Sequence, residues 1–333
     1  MAPGPLPRTV LYTSSVVIQP HRPPAAEDEH SICLACGGAL AARPTLVAGD
    51  RLHSTPGSWS VYECLACGSG TTLPLVSESD LGSFYPAEYA PYRAPTGLLG
   101  AAQARMQRAR DSRFPLAELD PGRTGTLLDV GCGGGELAAS WLRRGWRVLG
   151  IEPSPQAAAV AQARGTEIIG ATLGDARLAD ASVDAVVFRH SLEHVVAPVA
   201  ALRRVSAALR PGGRLAVILP NWGSWQRRAF GDCWFPLELP RHRTHFTARG
   251  LEAALRAAGF AGLDVRPATP LITTTWSLQY RLFDRILTTS GATLLVGYAC
   301  SLPVAAVSRV LDQLRGGGDF LHAAAVRPTD LSQ

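Results

Sequence analysis

The sequence of 333 residues contains no lysine, and all 32 of its Lys and Arg positions are arginine. This absence excludes Schiff-base chemistry, a pyridoxal-phosphate lysine and the phosphate-binding loop that ends in Gly-Lys-Ser/Thr. The arginines are spread along the chain, with no dense patch beside aromatic residues, so no nucleic-acid partner is expected. The formal net charge is only +5, and 47% of the residues are hydrophobic, which indicates a globular protein with a sizeable core.

Residues 1–30 lack the apolar segment behind a basic start that is typical of a secretory signal. We expect this stretch to be a loose arm and the protein to be cytoplasmic. In a reducing compartment the seven cysteines are then expected to be thiols or metal ligands rather than disulfides.

Four cysteines fall in two matched pairs, CLACGG and CLACGS, in a region (31–92) that includes a Pro- and Tyr-rich connector. Each C-x-x-C-G turn directs two thiolates at one tetrahedral ion, which predicts a zinc ribbon. All four ligand positions would be thiolates and none would remain for a catalytic water, so the metal would be structural. The alternative is four unconnected core or redox cysteines. The predicted ligands are Cys33, Cys36, Cys64 and Cys67.

Strand-like and helix-like segments alternate from TLLDVG to RLAVILPN, after a stretch at 97–118 that is predicted to be helical. The alternation predicts an α/β fold, a doubly wound Rossmann-like domain over 93–270 with ligands at the carboxyl ends of its strands. The zinc ribbon would precede this domain, and a helical tail (271–333) would follow it.

LLDVGCGGGEL (127–137) predicts a strand that enters a glycine loop and a helix. A dinucleotide fingerprint needs a third glycine where this chain has Glu136, and a pyrophosphate gains nothing from a carboxylate in the first helical turn. S-adenosylmethionine, which has no phosphate, fits better. Asp129 can attract the ammonium of its methionine moiety, Glu152 can accept both ribose hydroxyls, and Asp175 can accept the adenine amino group.

The ordered motifs DVGCGGG, IEPS, GDA, VDAVVFRHSLEHV and LRPGGRLAVILPN resemble those of the class I S-adenosylmethionine-dependent methyltransferases. The ribbon and connector resemble the start of a bacterial subgroup that often methylates sugars and secondary metabolites, which implies a small-molecule hydroxyl as acceptor. The alternatives are an NAD-dependent oxidoreductase and a non-catalytic binding module. The resemblance implies cofactor contacts from Asp129, Gly131, Cys132, Gly133, Gly135, Glu152, Pro153, Asp175, Ala176, Arg189 and His190.

Methylation of a hydroxyl requires removal of its proton, and histidines near the strand ends are the candidates. His242 and His245 come just before a helix for which Thr247 is a natural N-cap. His242 is the first choice as general base, because the ordinary pKa of an imidazole lies near neutrality, and His245 is the second. His190 is the third candidate. The alternative is that His242 and His245 hydrogen-bond the backbone of a lid loop.

HSLEHV (190–195) has the spacing of a metalloprotease signature, but it follows an apolar strand and forms at most a short turn before Pro198. In some O-methyltransferases that the chain resembles, E-x-x-E-H at this place binds a divalent metal. Here His190 replaces the first glutamate, so Glu193 and His194 are predicted either to bind a divalent metal or to serve as cap and packing groups.

Two later segments are apolar or aromatic. NWGSWQRRAFGDCWFP (221–236) suits either a sugar or anionic acceptor or an ordinary hydrophobic lid.

The segment 286–308 carries no charge, and three interpretations follow: a helix packed on the domain or a dimer partner, a membrane-surface element, or a membrane span. A membrane-surface element would make the protein peripheral and would suit a lipid-linked glycan as acceptor.

Overall fold

The computed structural model describes residues 32–81, 84, 113–120, 122, 124–270, 272–287, 291–315 and 317–329. The arm predicted at 1–30 and most of the helix predicted at 97–118 lie outside these residues. Of the latter, a 3-10 turn at Leu116–Leu119 is described.

The larger sheet is the seven-stranded core of the Rossmann-like domain, and it confirms the predicted fold. Its order is β10-β11-β8-β7-β4-β5-β6. Neighbouring strands from β6 to β8 are parallel, whereas β11 is antiparallel to both β8 and β10. The strands are β4 (Thr126–Val130), β5 (Arg147–Ile151), β6 (Glu167–Gly170), β7 (Val183–Arg189), β8 (Leu209–Pro220), β10 (Ala261–Ala268) and β11 (Phe320–Val326).

Helices cover the sheet, and several begin with an N-cap residue or with a proline in the first turn. Ser154 and Thr247 accept backbone N–H groups as N-caps, and Pro198 occupies the first turn of its helix. The helices are α1 (Glu78–Leu81), α2 (Glu136–Leu142), α3 (Pro155–Ala163), α4 (Pro198–Ala208), α5 (Trp225–Phe230), α6 (Ala248–Ala257), α7 (Thr273–Phe283) and α8 (Gly291–Arg315).

A smaller four-stranded sheet contains the cysteine pairs. Three of its strands are consecutive, namely β1 (Leu46–Ala48), β2 (Trp59–Glu63) and β3 (Gly70–Leu73). The fourth, β9 (Thr244–His245), comes from the segment between α5 and α6 and pairs with β3. The segment between α5 and α6 therefore supplies the fourth strand of the small sheet.

The C-terminal tail forms the predicted helices, α7 and α8, and then returns to the large sheet as β11, an element that the sequence pattern did not reveal. Among the described residues, no helix combines the length and the apolar character needed to cross a membrane.

Candidate active site

The glycine loop follows β4 and has a backbone that only glycine adopts easily. Gly131, Gly133 and Gly135 have φ angles of +76°, +55° and +77°. A Cβ atom on Gly131 would lie 2.6 Å from the Cβ atom of Ser191, whose hydroxyl donates to the carbonyl oxygen of Val130 at 2.6 Å. The loop is thus held against the turn that follows β7.

Glu152, one residue beyond β5, is buried beside this loop. Its Oε2 accepts the N–H of Gly133 at 2.8 Å, and its Oε1 accepts the N–H of Ser154 at 2.9 Å. Burial raises the pKa of Glu152, and the two backbone donors oppose that rise. Each carboxylate oxygen offers a second lone pair, so the group can accept two ribose hydroxyls, one on each oxygen.

Asp129 and Cys132 lie at the base of the loop. Asp129 is 2% exposed and lies between Gly150 of β5 and Val187 of β7. Cys132 is buried, and a Cβ atom on Gly150 would lie 2.8 Å from its Sγ atom. Burial raises the pKa of the Cys132 thiol, so this cysteine is a neutral packing group whose backbone forms part of the loop.

Glu136 begins α2, as expected, but its charge is not isolated. Its Oε1 lies 2.8 Å from Nη1 of Arg164, which also donates to the carbonyl oxygen of Gly134 at 2.5 Å. Because Arg164 compensates its charge, Glu136 opposes a pyrophosphate at this helix end less strongly than the sequence implied.

Asp175 does not end a strand, because β6 stops at Gly170 and a turn follows. The exposed carboxylate accepts the N–H and hydroxyl of Thr172 at 2.6 and 2.8 Å, and the N–H of Ala171 at 3.2 Å. These hydrogen bonds lower the pKa of Asp175. The neighbouring Ala176 is buried against Gly170.

The remaining predicted cofactor residues lie near the same edge of the sheet. Pro153 is exposed next to Glu152, and the half-buried Arg189 is the last residue of β7. His190 follows with a left-handed φ of +56°, and its side chain is 48% exposed.

A carboxylate surrounded by imidazoles lies just after β7. Glu193 is 1% exposed, and within the described part of the chain neither of its carboxylate oxygens has a hydrogen-bond partner. Its Oε1 lies 3.8 Å from Nδ1 of His190 and 3.9 Å from Nε2 of His242. Ligand atoms of Glu193, His194 and His242 all lie within 4.8 Å of one another. Burial raises the pKa of Glu193 to about 8.

The orientation of two of these imidazoles is fixed by backbone carbonyls. Nδ1 of His194 lies 3.0 Å from the carbonyl oxygen of Arg241, and Nδ1 of His242 lies 2.9 Å from that of Pro236. Each Nδ1 therefore carries the proton and donates it, which makes the Nε2 atoms the acceptors. Metal-binding histidines are oriented in this way. Sequence reasoning placed His242 and Glu193 in separate motifs and did not join them.

Comparisons with known proteins identify the family to which the chain belongs. A family model described as "Methyltransferase domain" matches residues 100–265. A ubiquinone biosynthesis O-methyltransferase of Methylobacterium nodulans is 37% identical over 167 residues, which are 46% of this chain and 66% of the relative. Its counterpart from Xanthomonas axonopodis pv. citri is 30% identical over 181 residues, which are 51% of this chain and 74% of that protein. The chain belongs to the S-adenosylmethionine-dependent methyltransferases.

The fold of this methyltransferase is also that of a solved enzyme. Phosphoethanolamine N-methyltransferase 2 of Haemonchus contortus, in complex with S-adenosyl-L-methionine, aligns with a TM-score of 0.50 at 18% identity. The alignment covers 78% of this chain and 62% of that one. The family, rather than the fold, assigns S-adenosylmethionine and not NAD to the methyltransferase.

The four cysteines of the methyltransferase's ribbon come together as predicted. Sγ of Cys33 lies 3.7 Å from Sγ of Cys67, and Sγ of Cys36 lies 3.5 Å from Sγ of Cys64. All four sulfur atoms lie within 4.8 Å of one another. Ligands about 2.3 Å from a tetrahedral zinc ion would be about 3.8 Å apart, so the donor set and its spacing fit such an ion.

His245, the second candidate base, is held by the ribbon instead. Its buried ring lies beside Trp222, with centroids 4.8 Å apart, and its Nε2 lies 2.9 Å from the hydroxyl of Thr72. Burial lowers the pKa of His245 to about 3. We assign His245 no part in the proposed chemistry, because its ring is hydrogen-bonded to Thr72 of the ribbon.

The ribbon also holds the loop that contains His242. Arg241 and Asp50 form a fully buried ion pair with hydrogen bonds of 2.9 and 3.0 Å, and the hydroxyl of Thr72 donates to the carbonyl oxygen of His242 at 2.7 Å. No motif in the sequence identified Asp50 or Arg241, because an ion pair between positions so far apart leaves no local pattern.

The aromatic segment 221–236 packs as a hydrophobic lid. Trp222 and Trp234 are buried in a cluster with Trp59, and the guanidinium of Arg227 lies 3.6 Å above the ring of Trp222. The indole N–H of Trp234 donates to Asp319 at 2.7 Å. Since their rings face protein, Trp222 and Trp234 do not provide stacking surfaces for a sugar.

Proposed function

We propose that this methyltransferase transfers the methyl group of S-adenosylmethionine to a hydroxyl of a small molecule, a sugar or a secondary metabolite. The observation that carries the proposal is the buried Glu193 carboxylate among His190, His194 and His242, next to the glycine loop. Such a group can take up a proton from the acceptor molecule. Methylation of a hydroxyl requires the removal of that proton. The relatives named as O-methyltransferases support the same acceptor atom.

The cofactor would lie along the carboxyl ends of β4 and β5. We assign the ribose hydroxyls to Glu152 and the methionine ammonium to Asp129, because both carboxylates are buried beside the loop. The Asp175 turn would border the adenine, with its carboxylate shaping the turn. The other proposed contacts are Gly131, Cys132, Gly133, Gly135, Pro153, Ala176, Arg189 and His190.

His190 is proposed as the first proton acceptor, since its side chain is 48% exposed whereas His242 is 4% exposed. Desolvation and the nearby Arg189 lower the pKa of His190 to about 3, so it would pass the proton on rather than hold it. S-adenosylmethionine would supply the methyl group and leave as S-adenosylhomocysteine, and His190 would take the proton of the acceptor hydroxyl. The products are a methyl ether and S-adenosylhomocysteine. Ionised Glu193, whose Oε1 lies 3.8 Å from Nδ1 of His190, would then take up this proton, since burial favours the protonated form of Glu193.

The cluster also fits a divalent metal. Glu193, His194 and His242 would hold it, because their donor set of one carboxylate and two imidazoles is typical of such sites. A bound ion would make the acceptor hydroxyl more acidic. His242 would then be a positioning residue, which revises its predicted role as the base.

We further propose that Cys33, Cys36, Cys64 and Cys67 bind structural zinc. The sulfur spacing supports this assignment, and all four ligand positions are thiols. Thiols of this kind persist in a reducing compartment, in line with the predicted cytoplasmic location.

The acceptor atom can be identified by mass spectrometry with S-adenosylmethionine that has a trideuterated methyl group. We expect incubation with a panel of sugar, nucleotide-sugar and phenolic acceptors, and their amino analogues, to give labelled methyl ethers. Excess S-adenosylhomocysteine should suppress the product. Label found only on nitrogen or carbon would contradict O-methylation while leaving the family assignment intact.

A further inference from the structure

Helix α8 has its polar and apolar sides reversed relative to an ordinary surface helix. The side packed on the protein contains Ser301, Ala305, Ser308 and Asp312, whereas the opposite side is exposed. That exposed side is apolar over most of its width. Its residues are Ala299, Cys300, Leu302, Pro303, Ala306, Val307, Val310 and Leu314.

Helix α7 shows the same reversal. It buries mainly hydroxyl-bearing side chains: Thr273, Thr274, Thr275, Ser277 and Tyr280. Leu278, Leu282 and Phe283 are exposed, by 37%, 62% and 54%. A surface helix in water normally buries its apolar stripe and exposes its polar one.

The polar side chains between the helices and the body are satisfied by protein partners. The hydroxyl of Ser308 donates to that of Thr274 at 3.3 Å, and Thr273 donates to Asp319 at 2.8 Å. Asp312 accepts the indole N–H of Trp225 at 2.7 Å. The reversed orientation is therefore stabilised by specific hydrogen bonds.

The exposed apolar residues form one concentrated surface, which we call the α7–α8 face. Eight of the eleven large hydrophobic side chains exposed in the described part of the chain lie between Leu278 and Leu314. A groove of about 330 Å³ runs along this face, lined by Leu278, Pro303 and Val307 among others. Apolar patches of this extent indicate an interaction surface.

The charges around the α7–α8 face indicate which kind of partner it binds. The segment 273–315 has four arginines, Arg281, Arg285, Arg309 and Arg315, and each is exposed. Of its two acidic residues, Asp284 pairs with Arg51, and Asp312 is turned to the protein interior. A symmetric dimer through this face would bring arginines together, whereas an anionic lipid surface would attract them.

We propose that the α7–α8 face lies on an anionic lipid bilayer, with its apolar side chains in the boundary between headgroups and acyl chains. The N–H of Phe235 donates to Ser277 at 2.9 Å, and the rings of Phe235 and Trp276 are 4.6 Å apart. The buried side of α7 is thus packed against the lid segment that leads to His242. This inference concerns where the enzyme works and does not depend on the acceptor atom.

The test is co-sedimentation of the full chain with vesicles of phosphatidylcholine alone or mixed with phosphatidylglycerol. We expect binding to the mixed vesicles that weakens as salt increases. The double variant Phe283→Ser/Leu314→Ser should lower the partition coefficient at least tenfold, because both side chains are more than half exposed and would leave the bilayer. The control Leu65→Ser removes an equally exposed leucine in the ribbon and should bind as the wild type does.

Sedimentation velocity without lipid tests the alternative that a second copy of the chain covers the α7–α8 face. We expect a monomer whose size the double variant does not change. Absence of binding to anionic vesicles, or equal binding by wild type and double variant, would overturn the proposal. A dimer that the same two substitutions dissociate would also overturn it and would assign the face to a second copy of the chain.

Discussion

Removal of the metal from the four-cysteine site is expected to lower the melting temperature by on the order of 10 °C and to reduce methyl transfer at least tenfold. Without the ion, the metal–sulfur bonds that would join the four sulfur atoms, all within 4.8 Å of one another, are lost. The ribbon would then lose the constraint that joins its two C-x-x-C-G turns.

The loss would reach the active site because the ribbon sheet includes β9. Backbone pairing joins Gly70 to His245 and Thr71 to Thr244, and Thr72 holds the carbonyl oxygen of His242. Loosening the ribbon would release the loop that places His242 beside Glu193. A ribbon that served only as a separate appendage would not affect turnover.

The measurement combines metal analysis, thermal unfolding and turnover for the wild type, the chelated protein and two cysteine variants. Cys36→Ser should behave as the chelated protein does, whereas Cys300→Ser, which changes an exposed cysteine on α8, should match the wild type. Cobalt substitution adds a spectroscopic check, since a four-thiolate site gives intense charge-transfer absorption. Unchanged stability and turnover after complete metal removal would rule out the structural role.

The second large effect is expected at the carboxylate–imidazole cluster. Glu193→Gln and His190→Gln should each lower kcat by about a hundredfold to ten-thousandfold, the range typical for loss of general acid–base catalysis. For Glu193→Gln, the affinity for S-adenosylhomocysteine should change by no more than about threefold, because Glu193 is not among the residues assigned to the cofactor.

A matched control separates the chemistry from general damage. His53→Gln changes an imidazole in the ribbon loop and should retain wild-type kcat. Full activity of both Glu193→Gln and His190→Gln would show that the cluster is a packing feature, as the cap-and-packing alternative held. If only His190→Gln were active, proton removal would be assigned to the inner residues.

The parts of the structure that sequence reasoning anticipated are those with local patterns. The strand and glycine loop at 126–135 were visible because alternating apolar segments and the glycines are contiguous. The zinc-ribbon cysteines were visible because each C-x-x-C-G turn is a short motif. In both cases the relevant residues are neighbours in the chain, and their chemistry limits them to few arrangements.

The rest depends on contacts between distant segments. The meeting of Glu193 with His242 results from the lid loop folding over β7, and the strand β9 forms only because the ribbon supplies a partner. His245 looked equivalent to His242 in sequence, yet one faces Glu193 and the other faces Thr72. The reversed sides of α7 and α8 required knowledge of which side the protein body covers.

The most direct test of the account is calorimetric titration of the methyltransferase with S-adenosylhomocysteine and, separately, with NAD. We predict one S-adenosylhomocysteine site per chain and no NAD binding. Glu152→Gln should weaken that binding about tenfold to a hundredfold, because it removes the negative charge and replaces one of the two accepting oxygens with an amide donor. Glu167→Gln, at the exposed pair with Arg147, should leave it unchanged. Binding of NAD, or S-adenosylhomocysteine affinity indifferent to Glu152→Gln, would contradict the cofactor site described for the glycine loop.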